Sequence, residues 1–243
     1  LAMSMPIMEE EQMDKLKARD LVDRAVNEGR TALSEFEAKQ VLAAYDIPIP
    51  AENLVSDRQG LETAIAGIGT PLVMKGCSAE VAHKTEKNLI RVDIRNQVEA
   101  EQAFNEIMSA LDGVDGGVLV QQLVPGRREL VVGMTRDPQF GACVMFGLGG
   151  IFTEILEDIA FRKAPIDKRE ALKMMQEIKG RRILEAVRGM EAADTDLLAD
   201  MLVRVGEIAL DMEAVAEIDI NPVILSGSRP VAVDALMVLK KPA

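Results

Sequence analysis

The chain contains one histidine, His83, in the polar stretch GCSAEVAHKTEKNLI between two apolar runs. An imidazole near neutral pH can act as a base, a metal ligand or a phosphoryl acceptor. Ligation would need partner side chains of the right type. Cys77 and Cys143 stand apart, outside any CxxC pair, so a zinc site is not expected. A lone histidine is more often an ordinary hydrogen-bonded residue. Its meaning therefore depends on what the rest of the chain can do.

Three further clusters bear on that. Lys75 closes the apolar run PLVMKG. A lysine there usually buries its stem and solvates its head, and the alternative is a point charge on a nucleotide phosphate. The segment FGLGGIFTE crowds Gly147, Gly149 and Gly150 together, which permits close backbone approach. Such a cluster alone commonly marks only a turn, and no strand–helix–strand unit surrounds it to suggest dinucleotide binding. In EIDINPVIL, alternation sends Ile218 and Ile220 to one face and Glu217, Asp219 and Asn221 to the other, with Asp234 on the partner strand of a terminal hairpin. A solvated strand face would explain this, but acids and Asn are poor strand formers. Oxygen ligands on adjacent strands suit Mg²⁺, which takes few carboxylates and completes its shell with phosphate oxygens and waters. Together the three clusters point to nucleotide binding without a GxxxxGK[ST] loop, which the chain lacks.

The elements that must position these residues are legible in outline. EEQMDKLKARDLVDRAVNE reads as an amphipathic helix with Leu16, Leu21, Val22, Ala25 and Val26 as its stripe and Gly29 as its C-cap. Ser34 and Glu37 form a capping box for a helix from about Glu35 to Tyr45. Strands are expected at ENLVS, PLVMKG, LIRVDI, GVLVQQLV, RELVVGMTRD and ACVMFGLGG, and helices at DRQGLETAIAGI, QVEAEQAFNEIMSAL, KREALKMMQEI and TDLLADMLVRVGEIALD. AVAEIDINPVIL and PVAVDALMVL form the closing hairpin through SGSR. Helices and strands in separate blocks indicate an α+β fold with two or more sheets. The weakest join is LDGVDGG, a possible hinge between two lobes.

Composition narrows the function classes. Aromatics make up 3% of the 243 residues, with no Trp and one Tyr, and the net charge is −12. Stacking platforms and a basic surface are both missing, so nucleic acid is not an expected partner. No apolar run reaches membrane-spanning length, and LAMSMPIMEEEQ lacks a basic region followed by an apolar one. A reduced, cytoplasmic protein is expected.

The segments ALSEFEAKQVLAAYDIPIP, PLVMKGCSAEVAHKTE, VQQLVPGRRELVVGMTRDPQFGACVMFGLGGIFTEILEDIAFRKAPI, IKGRRILEAVRG and AEIDINPVIL…VAVDAL occur in that order. Together they closely resemble the ATP-grasp subunit of ADP-forming acetyl-CoA (acyl-CoA) synthetases, from about Thr31 to Leu239. Succinyl-CoA synthetase β subunits are more distant relatives. The resemblance implies a two-lobed α+β ATP-grasp fold over residues 31–243, with the first lobe split around an inserted one. The nucleotide cleft lies between the lobes, the hinge falls near 111–123, and residues 1–30 form a helical extension.

It also implies the reaction acyl-CoA + ADP + phosphate ⇌ acid + CoA + ATP. A CoA-binding α subunit, or an α region of the same protein, completes a hetero-oligomer, and ATP/ADP and Mg²⁺ bind here. His83 would carry the phosphoryl group, and Asp219 would orient or stabilise it. Lys75 would touch the ATP phosphates, Gln121, Gln122 and Leu123 the adenine, and Glu129 would lie beside the nucleotide. Gly149 and Gly150 would admit the phosphates, Arg162 is a further phosphate candidate, and Asn221 and Asp234 would hold Mg²⁺. The chain departs from the family pattern at Glu86–Ile90, where relatives read like DVGGV, and at Leu236, where they often carry Arg. Two other readings remain open: an ATP-grasp module that senses nucleotide within a larger protein, and an ATP-grasp ligase joining a carboxylate to an amine. The ligase reading has no role for His83.

Overall fold

The computed structural model describes residues 10–79, 89–111, 113–150, 158–187 and 189–240. His83 lies outside them, as do the altered residues 86–88. The described residues build two antiparallel sheets, each with its own apolar core.

The smaller sheet has the order β1 (Glu52–Val55), β4 (Gly117–Gln122), β2 (Leu72–Cys77), β3 (Ile90–Ile94). Helices α3 (Arg58–Ile68) and α4 (Gln97–Ala110) pack against it. Both begin where the sequence supplies a cap: Asp57 accepts from Gly60 N–H at 2.7 Å and Asn96 from Glu99 N–H at 3.0 Å. Leu72 and Met74 of β2 and Val118 and Val120 of β4 enter a core with Leu61, Phe104 and Ile107. By the two-residue period of a strand, Lys75 and Gln121 point out of the opposite face.

The larger sheet has the order β10 (Leu236–Leu239), β8 (Val215–Ser226), β5 (Glu129–Asp137), β6 (Gly141–Leu148), β7 (Ile159–Lys163), with β9 (Arg229–Ala232) on β8. Helices α5 (Lys168–Glu177) and α6 (Thr195–Asp211) cover one face. Leu198, Met201, Leu202, Val205 and Ile208 form the buried stripe of α6, at the three- and four-residue spacing of a helix face. They meet Val132, Val144, Phe146, Ile218 and Ile220 from the sheet.

Helices α1 (Glu10–Asn27) and α2 (Glu35–Ala44) also belong to this larger unit. Ala18, Val22 and Ala25 of α1 and Ala38, Val41 and Leu42 of α2 are part of its core, while Leu16 of the expected stripe is exposed. Residues 52–122 are thus inserted into a unit made of the chain's two ends. The segment expected to hinge, 111–123, begins in the α4–β4 turn, which stays inside the small unit. It ends at Leu123, where the chain leaves that unit.

Two strand readings are corrected. Strand β7 had no counterpart in the sequence reading. PVAVDALMVL is not one strand but two: the ladder on β8 is interrupted at 233–235 and resumes in the same register, Val223 opposite Ala232 and Asp219 opposite Leu236. Pro222 of β8 has no N–H to give across the gap, and only its carbonyl pairs, accepting from Val233 N–H at 3.2 Å. The preserved register sets Asn221 opposite Asp234.

Candidate active site

Strand β8 delivers the acidic row. Ile218 and Ile220 are buried in the large core, and Glu217, Asp219 and Asn221 lie on the face away from the covering helices, as alternation requires. Asp219 faces Leu236 on one side and Gly133 on the other. Burial pushes its carboxyl up to about 6, with the neighbouring Glu217 and Asp234 carboxylates adding to the shift. Crowded acids of this kind gain from a cation among them.

Asn221 and Asp234 fit a magnesium ion in their donor chemistry. Both offer oxygen donors, Asn221 from β8 and Asp234 from the break between β9 and β10, where the preserved register sets it opposite Asn221. Among the described residues no group of three or more His, Cys, Asp or Glu side chains could hold a metal by itself. Two protein ligands plus phosphate oxygens and waters are what Mg²⁺ ordinarily takes. Asp234 Oδ1 accepts from Ala235 N–H at 2.9 Å, and Asn221 Oδ1 accepts from Gly150 N–H at 3.1 Å.

That last bond ties the glycine segment to the acidic row. Gly149 N–H donates to the Glu129 carbonyl at 2.9 Å, and a Cβ on Gly149 would meet Leu130 C at 2.6 Å and N at 2.8 Å. Gly150 has φ +61°, and a Cβ there would overlap the Glu129 carboxylate. The glycines thus allow β6 to turn tightly over the start of β5, beside Asn221.

Lys75 approaches from the other sheet. It is the fourth residue of β2 and only 6% exposed, so its head does not reach water as a snorkelling lysine's would. Its Nζ donates to Glu35 Oε1 at 2.7 Å and to the Val233 carbonyl at 2.9 Å, and lies 3.7 Å from Asp234 Oδ2. The break between β9 and β10 therefore supplies both the carbonyl that holds Lys75 and the carboxylate beside it.

Gln121 and Gln122 end β4. The Gln121 side chain is buried and accepts from Lys39 Nζ at 2.8 Å. The backbone N–H groups of Gln122 and Leu123 donate to Ala51 and Pro71 carbonyls at 2.9 and 3.1 Å. A base reaching this segment therefore meets backbone N–H groups that already have acceptors.

Arg162 is a correction. On β7 it pairs across to Val144, whose side chain is in the helix-covered core, so it faces α5 rather than the acidic row. There it pairs with Glu170 and Glu177. The structure does not bring it to the other candidates.

Sequence reasoning also missed a buried ionic cluster behind Lys75. Glu35 Oε1 accepts from Lys39 Nζ at 2.8 Å as well as from Lys75, and Lys39 also pairs with Glu52. The side chains of Glu35, Lys39 and Glu52 are all at most 4% exposed. Glu52 Oε1 is buried with no hydrogen-bond partner. Burial raises the Glu52 carboxyl above its usual range, against the pull of Lys39. The signal was weak in sequence: Glu35 and Lys39 are a helical i,i+4 pair like any solvated one, and their partners lie far along the chain.

Comparison with known proteins agrees with this architecture. The ATP-grasp domain family matches residues 24–239. The β subunit of acetate–CoA ligase [ADP-forming] I from Pyrococcus furiosus is 43% identical over 233 residues, covering 93% of this chain and 100% of the relative. The acetyl-coenzyme A synthetase 1 of Ca. Korarchaeum cryptofilum, in complex with coenzyme A, Ca-AMPCP and HgCl⁺, superposes with a TM-score of 0.88 at 37% identity. It covers 92% of this chain and all of that one. A second structure of that enzyme, with coenzyme A and Mg-AMPPCP and its phosphohistidine segment pointing towards the nucleotide binding site, gives 0.82 at 38% identity over 92% and 100% of the two chains. The chain belongs to the ATP-grasp family, alongside the β subunits of the ADP-forming acetate–CoA ligases.

Proposed function

We propose that this chain is the nucleotide-handling β subunit of an ADP-forming acyl-CoA synthetase, passing a phosphoryl group between a phosphohistidine and ADP. The observation that carries this reading is the meeting of a buried lysine from one sheet with an Asn/Asp pair from the other. That meeting creates a place where a cation and oxygen ligands converge, which is what a polyphosphate requires. Family membership supports the same reaction class.

In this reading Lys75 contacts a phosphate oxygen, and the turn at Gly149–Gly150 lets the chain come close to the phosphates. Asn221 and Asp234 hold Mg²⁺, which when bound offsets charge on the phosphate oxygens. Asp219, half-buried among other carboxylates, orients the phosphorylated imidazole. In the ATP-forming direction the P–N bond of phosphohistidine breaks as a β-phosphate oxygen of ADP forms a P–O bond, leaving the imidazole free. His83, the one histidine of the chain, is the carrier. The acyl phosphate and CoA are handled by a CoA-binding α partner, giving a hetero-oligomer. No described helix is long and apolar enough to cross a membrane, and the proposed setting is the cytoplasm.

The test is incubation with γ-labelled ATP and Mg²⁺. Acid-labile, alkali-stable label is expected on the wild-type protein and absent from His83→Ala. Equal labelling of the two proteins would rule out His83 as carrier.

A further inference from the structure

A lysine ammonium has three donors and no plane of its own, so its direction is set by whatever accepts from it. The head of Lys75 is gripped by two acceptors from outside its own sheet, Glu35 Oε1 and the Val233 carbonyl. Glu35 cannot drift. It is the first residue of α2, where a carboxylate is favoured by the helix N-terminus. The helix start is fixed by the Ser34–Glu37 capping box, and Ala38, Val41 and Leu42 anchor its other face in the large core. Its carboxylate is also held from behind by Lys39 at 2.8 Å, itself tied to Glu52 and Gln121.

We propose that Glu35 is a positioning residue for phosphoryl transfer. By fixing two donors of Lys75 together with the Val233 carbonyl, it aims the remaining N–H at a phosphate oxygen. Without that carboxylate, the described acid next in reach is Asp234, 3.7 Å away. Lys75 would then turn toward the residue on the metal side of the site. The inference rests on the reading of Lys75 as a phosphate contact.

Titration calorimetry with MgADP and with adenosine separates the possibilities. The proteins compared are wild type, Lys75→Met, Glu35→Gln, the double variant and Glu35→Asp. Lys75→Met tests the underlying reading: unchanged MgADP affinity there removes the phosphate contact itself, whatever Glu35 does. If Lys75→Met weakens MgADP, Glu35→Gln is expected to weaken it about tenfold, to leave adenosine affinity unchanged, and to add nothing in the Lys75→Met background. Equal losses for both ligands, or full additivity in the double variant, would mean that Glu35 only supports the fold and would overturn the proposal. Glu35→Asp keeps the charge but withdraws it by one methylene. An intermediate loss confined to MgADP is expected, and it carries the same comparison should Glu35→Gln not fold.

Discussion

Lys75 Nζ lies 3.7 Å from Asp234 Oδ2, although Lys75 comes from the small sheet and Asp234 from the break between β9 and β10 of the larger unit. The ammonium makes its short contacts elsewhere, with Glu35 and the Val233 carbonyl at 2.7 and 2.9 Å. Asp234 is therefore near Lys75 without being consumed by it. The two carry opposite charge to one site, and the short contacts that hold Lys75 come from Glu35 and Val233 of the larger unit rather than from Asp234.

That separation predicts a selective defect in Asp234→Ala. Lys75 keeps both of its short partners, so a contact to phosphate survives. What is lost is one of the two protein oxygens proposed to hold Mg²⁺. ADP affinity measured by calorimetry should fall at least about tenfold in the presence of Mg²⁺, as expected when a charged ligand is removed from a metal with few protein donors. It should change little in the presence of EDTA. An equal loss with and without the metal would place Asp234 outside the metal site.

Asp219 makes a prediction about pH. Its carboxyl is raised from 3.8 to about 6 by burial, Glu217 and Asp234. Above about pH 6 the folded protein holds an ionised carboxylate that the unfolded chain would solvate better, so the group opposes folding. As pH falls through that window the folded state takes up a proton that the unfolded chain does not yet bind, and the penalty fades. It is gone below the unfolded value, where both states are protonated. Asp219→Asn mimics the neutral form. It should raise the stability of the metal-free protein at pH 7.5 by on the order of 1–2 kcal/mol, after discounting for partial solvent screening. That corresponds to a Tm increase of about 3–6 °C. At pH 3, below the unfolded value, the two proteins should melt together. Phosphoryl transfer to ADP should nevertheless be impaired in the variant. A Tm difference that does not vary with pH would contradict this account.

Much of this site was legible in the sequence because its signal is local. The alternation of Ile218 and Ile220 with Glu217, Asp219 and Asn221 determines which face is acidic, whatever packs above it. Ser34 and Glu37 form the capping box that starts α2, as their spacing implies. Three features were not legible, each because it depends on distant partners. The closing strand breaks at 233–235 where it meets Pro222, and residue preference within PVAVDALMVL does not reveal the gap. Arg162 faces α5 because β7 pairs with β6 in a register that only the assembled sheet defines. Glu35 and Lys39 look like a solvated helical pair until Lys75, Glu52 and Gln121 arrive from the inserted unit.

The paired glycines distinguish a folding constraint from a local one. A methyl on Gly149 would meet the backbone of Leu130, which is fixed in the centre of the large sheet by Leu148 and Val223 on either side. Relief requires moving β5 against β6, so Gly149→Ala should cost about 2–3 kcal/mol and lower Tm by roughly 5–10 °C. A methyl on Gly150 meets a side chain instead, the Glu129 carboxylate, which can swing away. Its φ of +61° adds a strain of about 1 kcal/mol for a non-glycine residue. Gly150→Ala should therefore melt within a few degrees of wild type, about 2–4 °C lower. It should still weaken MgADP binding, because the displaced Glu129 and the Gly150 N–H that holds Asn221 both border the proposed phosphate position. Thermal melts and calorimetry on the two variants test this directly. If Gly150→Ala binds MgADP as wild type does, the turn over β5 serves the fold alone and the phosphates lie elsewhere.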